Sequence, residues 1–163
     1  MENHLVAKTF NHMSWANNQV LKILSQQPDE VINLQLADQG WTVGAITDHL
    51  VQSQNMLIAR LLNEKPNRET IEINTAAQIA ELIPKCNQND QKLFELAHLP
   101  EQTHIFGKPG REVEFFSSTI LAQAVHHATE HRAQIADILT ASGNNSVVLD
   151  DYSVWAFERT TKQ

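Results

Sequence analysis

Apolar residues recur at intervals of three and four along four long stretches of this chain, the spacing of one buried face of an α-helix. The first predicted helix runs from about Asn3 to Gln26 and ends before Pro28. The second begins after Thr42, a favourable N-cap, and stops before Pro66. Their predicted apolar faces are Leu5, Met13, Ala16, Val20 and Leu24 in the first helix, and Val43, Ile46, Leu50, Leu57 and Leu61 in the second.

A third helix is predicted over about Ala76 to Ala97, and Thr75 precedes it as an N-cap. Pro84 falls inside this stretch, where its missing N–H should remove one backbone hydrogen bond and kink the helix. Because free cysteine is so often buried, Cys86 is interpreted as an inert core thiol rather than a nucleophile. The apolar face that includes this cysteine consists of Ile79, Leu82, Ile83, Cys86, Leu93 and Ala97.

The fourth predicted helix has the most informative pattern, because two histidines interrupt its apolar face. Ser117 or Ser118 is its expected N-cap, and Gly143 stands where a glycine would end it. His127 and His131 are one helical turn apart, so both imidazoles are predicted to point into the core. The face consists of Ile120, Ala124, His127, Ala128, His131, Ile135 and Ile138.

The segments between the helices predict a small hairpin and a short closing helix. Residues 102–116 alternate in polarity on both sides of a Gly-Lys-Pro-Gly turn, which is the pattern of a two-stranded hairpin. Residues 28–40 are expected to form a long surface connection. Asp150 or Asp151 is expected to cap the short last helix. That helix would carry Tyr152, Trp155 and Phe157.

Length and composition fit one bundle and argue against several classes of function. The chain has 163 residues, 42% of them hydrophobic, so we predict an all-α, up-down four-helix bundle in a single domain over 1–163. The formal net charge of −7 argues against nucleic-acid binding, which depends on a basic face. Neither a signal-peptide pattern nor an apolar run of about 18–20 residues is found, so a cytoplasmic protein without a membrane partner is expected. A single cysteine excludes an internal disulfide and fits a reducing compartment.

Three histidines make a candidate metal site. Buried imidazoles cost free energy unless their nitrogens have partners, so the inward pair indicates either hydrogen bonds to polar neighbours or a shared divalent cation. His49 lies at the edge of the buried face of the second helix, three residues after Ile46. Facing His127 and His131, it would complete a three-nitrogen site with coordination positions left open for water or substrate.

Two further residues are candidates for supporting this site without binding the metal. Gln134 lies seven residues after His127, on the inward face, where it would hold an imidazole or a bound water by a hydrogen bond. His12 lies on the inward half of the first helix and could approach the same cavity. Glu130 and Asp48 are poor candidates as ligands, because each is adjacent to a histidine and adjacent helical residues do not share a face. The other histidines, His4, His98, His104 and His126, are interpreted as exposed, loop or interface residues, and Trp15, Asn17 and Trp155 as packing residues.

Three sequence elements occur in a characteristic order: HMSWANNQVLKIL over 12–24, ITDHL around His49, and HATEHRAQI over 127–135. In order and spacing they resemble the DinB-like family, also called DinB/YfiT-like metalloenzymes, over nearly the whole chain. The resemblance implies a four-helix bundle, commonly a homodimer, with one divalent metal held by His49, His127 and His131. Two departures affect the pocket: many members have an aromatic residue and an asparagine in place of His12 and Met13, and many have a histidine in place of Gln123.

The chemistry expected of such a site follows from its ligands. Three neutral imidazoles leave the cation its double charge, which lowers the pKa of a bound water or activates a bound thiol. Zinc or nickel is expected, because imidazole suits both. Related families with the same bundle include low-molecular-weight-thiol transferases and a thiol-dependent isomerase, so the resemblance implies a metal-dependent transferase that acts on a small electrophile with a thiol cosubstrate. A metal-dependent hydrolase and a non-catalytic, stress-associated metal-binding protein are the alternatives.

Overall fold

The computed structural model describes residues 4–36, 40–67 and 71–162, and within these ranges the chain is a helical bundle. The long helices are α1 (His4–Leu24), α3 (Val43–Leu61), α4 (Ala76–Leu96) and α5 (Ser117–Ala141). The short helices are α2 (Asp29–Ile32) and α6 (Val154–Thr161), with a 3-10 turn at Leu149–Tyr152. The prediction of an all-α bundle with a short last helix is confirmed. Asn3, where α1 was expected to begin, lies outside the described residues.

The four long helices pack so that α1 and α3 each contact both α4 and α5. Two groups of buried side chains fill the bundle, one around Leu50 and Ile135 and the other around Met13 and Leu93. The apolar face predicted for α3 is buried at every position. The prediction that Leu5 points into the core is wrong, because this side chain is 75% exposed in the first turn of α1. Among the helices of the described ranges, none combines the length and hydrophobicity that a membrane span requires.

A two-stranded antiparallel hairpin precedes α5, as predicted. It consists of β1 (Thr103–Phe106) and β2 (Val113–Phe116), with Thr103 opposite Phe116. The turn between the strands uses positive φ angles of 130° at Gly107 and 80° at Gly110, which side chains rarely tolerate. Because β2 ends at Phe116 and α5 begins at Ser117, the strand continues into the helix without a loop.

Two of the predicted helix caps are confirmed. The Thr42 hydroxyl accepts a hydrogen bond from the N–H of Ala45 at 3.0 Å, at the start of α3. Thr75 and Gln78 form a reciprocal capping box at the start of α4. Both threonines have extended backbone angles, which is the geometry that lets a side chain reach the free N–H groups of the first turn.

Two other predicted caps are wrong, because the chain enters those helices differently. The N-cap of α5 is Phe116, without a side-chain cap, since β2 leads directly into the helix; Ser117 and Ser118 are already helical. The cap of α6 is Ser153, whose hydroxyl accepts from the N–H of Ala156 at 3.2 Å. Asp150 and Asp151 lie instead in the preceding 3-10 turn.

The connection between α1 and α3 is not a simple surface loop, which corrects the interpretation of residues 28–40. α1 ends at Leu24, and α2 then places Ile32 in the core with none of its surface exposed. At Gly44 in α3, an added Cβ would lie 2.0 Å from the carbonyl oxygen of Ile73, so only glycine permits this contact. Residues 37–39 of this connection lie outside the described ranges. The result is a tightly packed end of the bundle beside His49.

Candidate metal centre

The three histidines singled out from the sequence meet between α3 and α5. His49 comes from α3, and His127 and His131 come from α5. The Nε2 atom of His127 lies 3.2 Å from Nε2 of His49 and 3.0 Å from Nε2 of His131. In the described ranges this is the one group of three or more metal-binding side chains, with ligand atoms all within 4.8 Å of one another.

The two separations from His127 fit nitrogens that share one metal ion. Metal–nitrogen bonds of about 2.0–2.1 Å place two nitrogens about 2.8–3.4 Å apart when the angle at the metal lies between about 90° and 110°. Hydrogen bonds between the rings explain these distances less well than a metal does. The Nε2 atom of His127 has either one proton to donate or one lone pair to accept with, but it has two close neighbours. A cation accepts all three lone pairs at once, so the donor set is compatible with a divalent metal.

A hydrogen bond fixes the His131 ring in the form that a metal ligand requires. The Nδ1–H of His131 donates to the Oε1 atom of Gln134 at 2.7 Å. The neutral ring then carries a lone pair on Nε2, the atom that faces the other two histidines. The structure therefore places Gln134 where the sequence analysis expected a residue that orients an imidazole.

The surroundings of His127 favour its uncharged form. Burial, together with charge repulsion from the nearby His131 and His49, lowers the pKa of His127 to about 4. His127 is therefore neutral at pH 7, and a cation has no proton to displace from it. The neutral His127 ring has a lone pair that a metal can bind.

A tryptophan and an open cavity adjoin the histidines. The Trp41 ring lies edge-on to His49 with centroids 4.7 Å apart, and stacks on His131 at 6.3 Å. A cavity of about 630 Å³ lies beside His49, between α3 and residues 71–74. Its α3 wall consists of Ala45, Asp48, His49, Gln52, Ser53 and Met56. A small molecule in this cavity would reach the cluster from the His49 side.

The model of the DinB family matches residues 1–162, essentially the whole chain. The chain belongs to the DinB family. A search of curated proteins and a search of solved structures found no match. For this DinB-family protein, family membership and the three-histidine cluster are together compatible with metal binding.

A buried polar network lies directly behind His131, and the sequence analysis did not foresee it. The Arg132 guanidinium donates to Asn17 Oδ1 at 2.5 Å, and Asn17 Nδ2 donates to Asp90 Oδ1 at 3.1 Å. Gln54 Nε2 donates to the same carboxylate oxygen at 2.5 Å. These four residues come from α5, α1, α4 and α3, so the network joins all four long helices. It fixes α5 at the residue next to His131.

Burial shifts the pKa values of Asp90 and Arg132, the two charged members of this network. Desolvation raises the pKa of Asp90 to about 6, and hydrogen bonds from Asn17 and Gln54 oppose the rise. Desolvation also lowers the pKa of Arg132 to about 10. Asn17 lies between the two charges and bonds to both, so the residue interpreted as packing is the centre of the network. The only sequence signal was that Asn17 and Arg132 fall in the WAN and HRAQ elements.

The structure places His12 away from the three clustered histidines. Its Nε2–H donates to the carbonyl oxygen of Tyr152 at 2.7 Å, and its ring contacts Trp15 and Phe157. Trp15 is half-buried in the same aromatic group, as a packing residue should be. His12 therefore binds the C-terminal segment to α1.

The predictions for Cys86, Trp155 and the other histidines are partly confirmed and partly wrong. Cys86 is buried, as predicted, and burial raises the pKa of its thiol well above the usual value. His104 was expected to be exposed or in a loop, but it is 1% exposed, because β1 turns this side chain toward α3 and α5. Trp155 was expected to pack inward, but α6 leaves it 78% exposed. The remaining histidines, His4, His98 and His126, are exposed, as predicted.

Replacement of His131 by alanine is expected to weaken Zn²⁺ or Ni²⁺ binding by at least about a hundredfold, because one of three nitrogen ligands is lost. His126→Ala is the matched control, since it removes an exposed histidine from the same helix. Metal titration of the purified variants measures both. Undiminished stoichiometric binding by His131→Ala would show that the ligand set is wrong.

Metal affinity is expected to fall as the pH is lowered from about 8 to about 5, because protons compete with the cation for imidazole nitrogens. The lowered pKa of His127, about 4, keeps that ring available throughout this range. Dialysis at stepwise pH followed by metal analysis tests this, and a metal content independent of pH would argue against histidine ligands.

Proposed function

We propose that this protein is a metal-dependent transferase that joins a low-molecular-weight thiol to a small electrophile. The observation that carries the proposal is the convergence of His49, His127 and His131 beside a cavity large enough for a small molecule. Zinc or nickel held by these three residues would keep its double charge, because imidazoles are neutral ligands. When bound, the ion lowers the pKa of a thiol, which supplies a nucleophile at neutral pH.

The residues around the cluster have distinct roles in this proposal. Gln134 holds the ring of His131 in its ligand orientation. The Trp41 ring covers His49 and His131 and limits the access of water from that side. Asp48 and Gln52 give the cavity polar contacts for the part of the substrate that does not react.

The nucleophile in this proposal comes from the cosubstrate and not from the chain. Cys86 is buried between α3 and α4, where its Sγ atom lies 3.6 Å from Gln54 Oε1 and 3.7 Å from Asp90 Oδ2. Its pKa lies well above the usual value because of burial and the Asp90 charge, so the thiol stays protonated. It is not among the residues that line the cavity beside His49.

We further propose that the protein acts as a homodimer in the cytoplasm, where a thiol cosubstrate stays reduced. The dimer is drawn from the family resemblance and from large exposed apolar side chains, including Leu5, Leu99 and Trp155. Sedimentation velocity at micromolar concentration is expected to give a species of twice the monomer mass. A monomer alone would contradict the dimer.

Thiol transfer is expected when the metal-loaded protein is given a panel of cellular thiols and a chromogenic aryl halide. The sulfur forms a C–S bond as the carbon–halogen bond breaks, and the thiol proton and halide are released, so product absorbance reports turnover. His127→Ala should lose both metal and turnover, since it removes the central ligand. Cys86→Ser, the matched control for a protein thiol, should retain turnover.

The outcomes of this assay separate the candidate functions. Loss of turnover in a folded, metal-loaded Cys86→Ser variant would contradict the proposal and indicate a cysteine mechanism. Hydrolysis of the electrophile without thiol consumption would identify a metal-dependent hydrolase. Metal binding with neither activity over the whole panel would identify a non-catalytic metal-binding protein.

A further inference from the structure

A second cluster of reactive side chains lies where the hairpin meets α5. Ser117 is the first residue of α5, and His104 is on β1. The Nε2 atom of His104 lies 2.8 Å from the Ser117 Oγ, and its Nδ1 lies 3.2 Å from Asn63 Oδ1. Ser117 precedes His127 by ten residues, about 15 Å along the helix, so this cluster is separate from the metal centre. A serine, a histidine and an orienting group bonded in this order are the components of a nucleophilic site.

The hydrogen bonds give His104 the tautomer of a general base. The amide oxygen of Asn63 can only accept, so Nδ1 of His104 carries the proton and Nε2 carries a lone pair. The Ser117 hydroxyl then donates to Nε2. The other close neighbours of this hydroxyl are the main-chain N–H and carbonyl of Gln102, each at 3.3 Å, so the shorter contact with His104 is the stronger one. His104 is 1% exposed, which holds its ring in place.

The residue after Ser117 already binds an anionic oxygen. The N–H of Ser118 donates to Glu101 Oε1 at 3.2 Å, and the Ser118 hydroxyl donates to the same oxygen at 2.9 Å. Where a strand, a nucleophilic serine and a helix follow one another, the N–H after the serine stabilises the oxyanion of the intermediate. The chain has this order, since Phe116 ends β2 and Ser117 begins α5. Glu101 is exposed, so a substrate oxygen can displace its carboxylate.

An apolar cavity of about 400 Å³ opens at Ser117. It lies between α1, the end of α4 and the first turns of α5. Its apolar walls include Leu5, Val6, Phe10, Leu99, Leu121 and Val125. A serine at the edge of a mostly apolar cavity is suited to an acyl group with a hydrocarbon chain.

We propose that Ser117, His104 and Asn63 form a metal-independent esterase site for small esters with an apolar acyl chain. The Ser117 Oγ attacks the ester carbonyl carbon as its proton passes to Nε2 of His104. The ester C–O bond breaks, the alcohol leaves with that proton, and the acyl group stays on Oγ. Water then attacks the acyl carbon, His104 takes a proton from the water and returns it to Oγ, and the carboxylic acid leaves. Ser117 and His104 are the catalytic residues, and Asn63 is a positioning residue.

An alkyl fluorophosphonate tests the nucleophile directly, because the serine oxygen forms a P–O bond as the P–F bond breaks and fluoride leaves. Peptide mass spectrometry of the wild-type protein, with and without a metal chelator, should find the adduct on Ser117 in both samples. Ser117→Ala should lose the adduct, while Ser142→Ala, which replaces an exposed serine at the other end of α5, should keep it. No adduct on the wild type, an adduct only at another residue, or labelling that requires the metal would overturn the proposal.

Variants of Asn63 distinguish catalysis from a structural role, because this residue is exposed. Its φ of 56° lies in the left-handed region, so glycine is the replacement that removes the side chain without straining the backbone. Asn63→Asp places a carboxylate beside the imidazolium, so hydrolysis of p-nitrophenyl butyrate and labelling should both accelerate, by about tenfold or more. Asn63→Gly should slow both by a similar factor, with an unchanged circular dichroism spectrum. Equal rates in the wild type and both variants would mean that the hydrogen bonds only join the hairpin to α5 and to the segment after α3, and the proposal would be wrong.

Discussion

The Nε2 atom of His127 has two imidazole neighbours, and a neutral ring nitrogen can bond to only one of them. His49 at 3.2 Å and His131 at 3.0 Å both approach this atom, and Gln134 fixes the lone pair of His131 toward the same point. Burial keeps His127 uncharged at pH 7, so protonation of this ring does not give its Nε2 atom a bond to both neighbours. A divalent cation would satisfy all three nitrogens, because it can accept a lone pair from each.

The buried network of Arg132, Asn17, Asp90 and Gln54 explains how the bundle keeps that arrangement. A buried charge is costly unless its hydrogen bonds are satisfied, and removing one partner of such a network leaves the others unpaired. Each long helix contributes one member, so a rotation of any helix breaks a bond in the interior. Arg132 is the residue after His131, and fixing its side chain also fixes the direction of the histidine. The network thus links the WAN element of α1 to the HRAQ element of α5 physically.

The features that could be predicted from the sequence are those that depend on the spacing of residues within one helix. The buried faces of the long helices repeat every three or four residues, and the caps Thr42 and Thr75 act within a single turn, so both could be recognised. Arg132 was missed because its partner is 115 residues away, on another helix. His104 was misjudged because β1 has only four residues, too few to reveal which face is buried. Trp41 carries no periodic signal, since it precedes the helix whose histidine it covers.

The most direct test of the central claim is nitrogen-15 NMR of the histidine side chains before and after Zn²⁺ is added. The arrangement described here predicts that three of the eight histidines respond. Each should bind through Nε2, and the Nδ1–H of His131 should keep its hydrogen bond to Gln134. Binding through Nδ1, or no response from His49, would contradict the account.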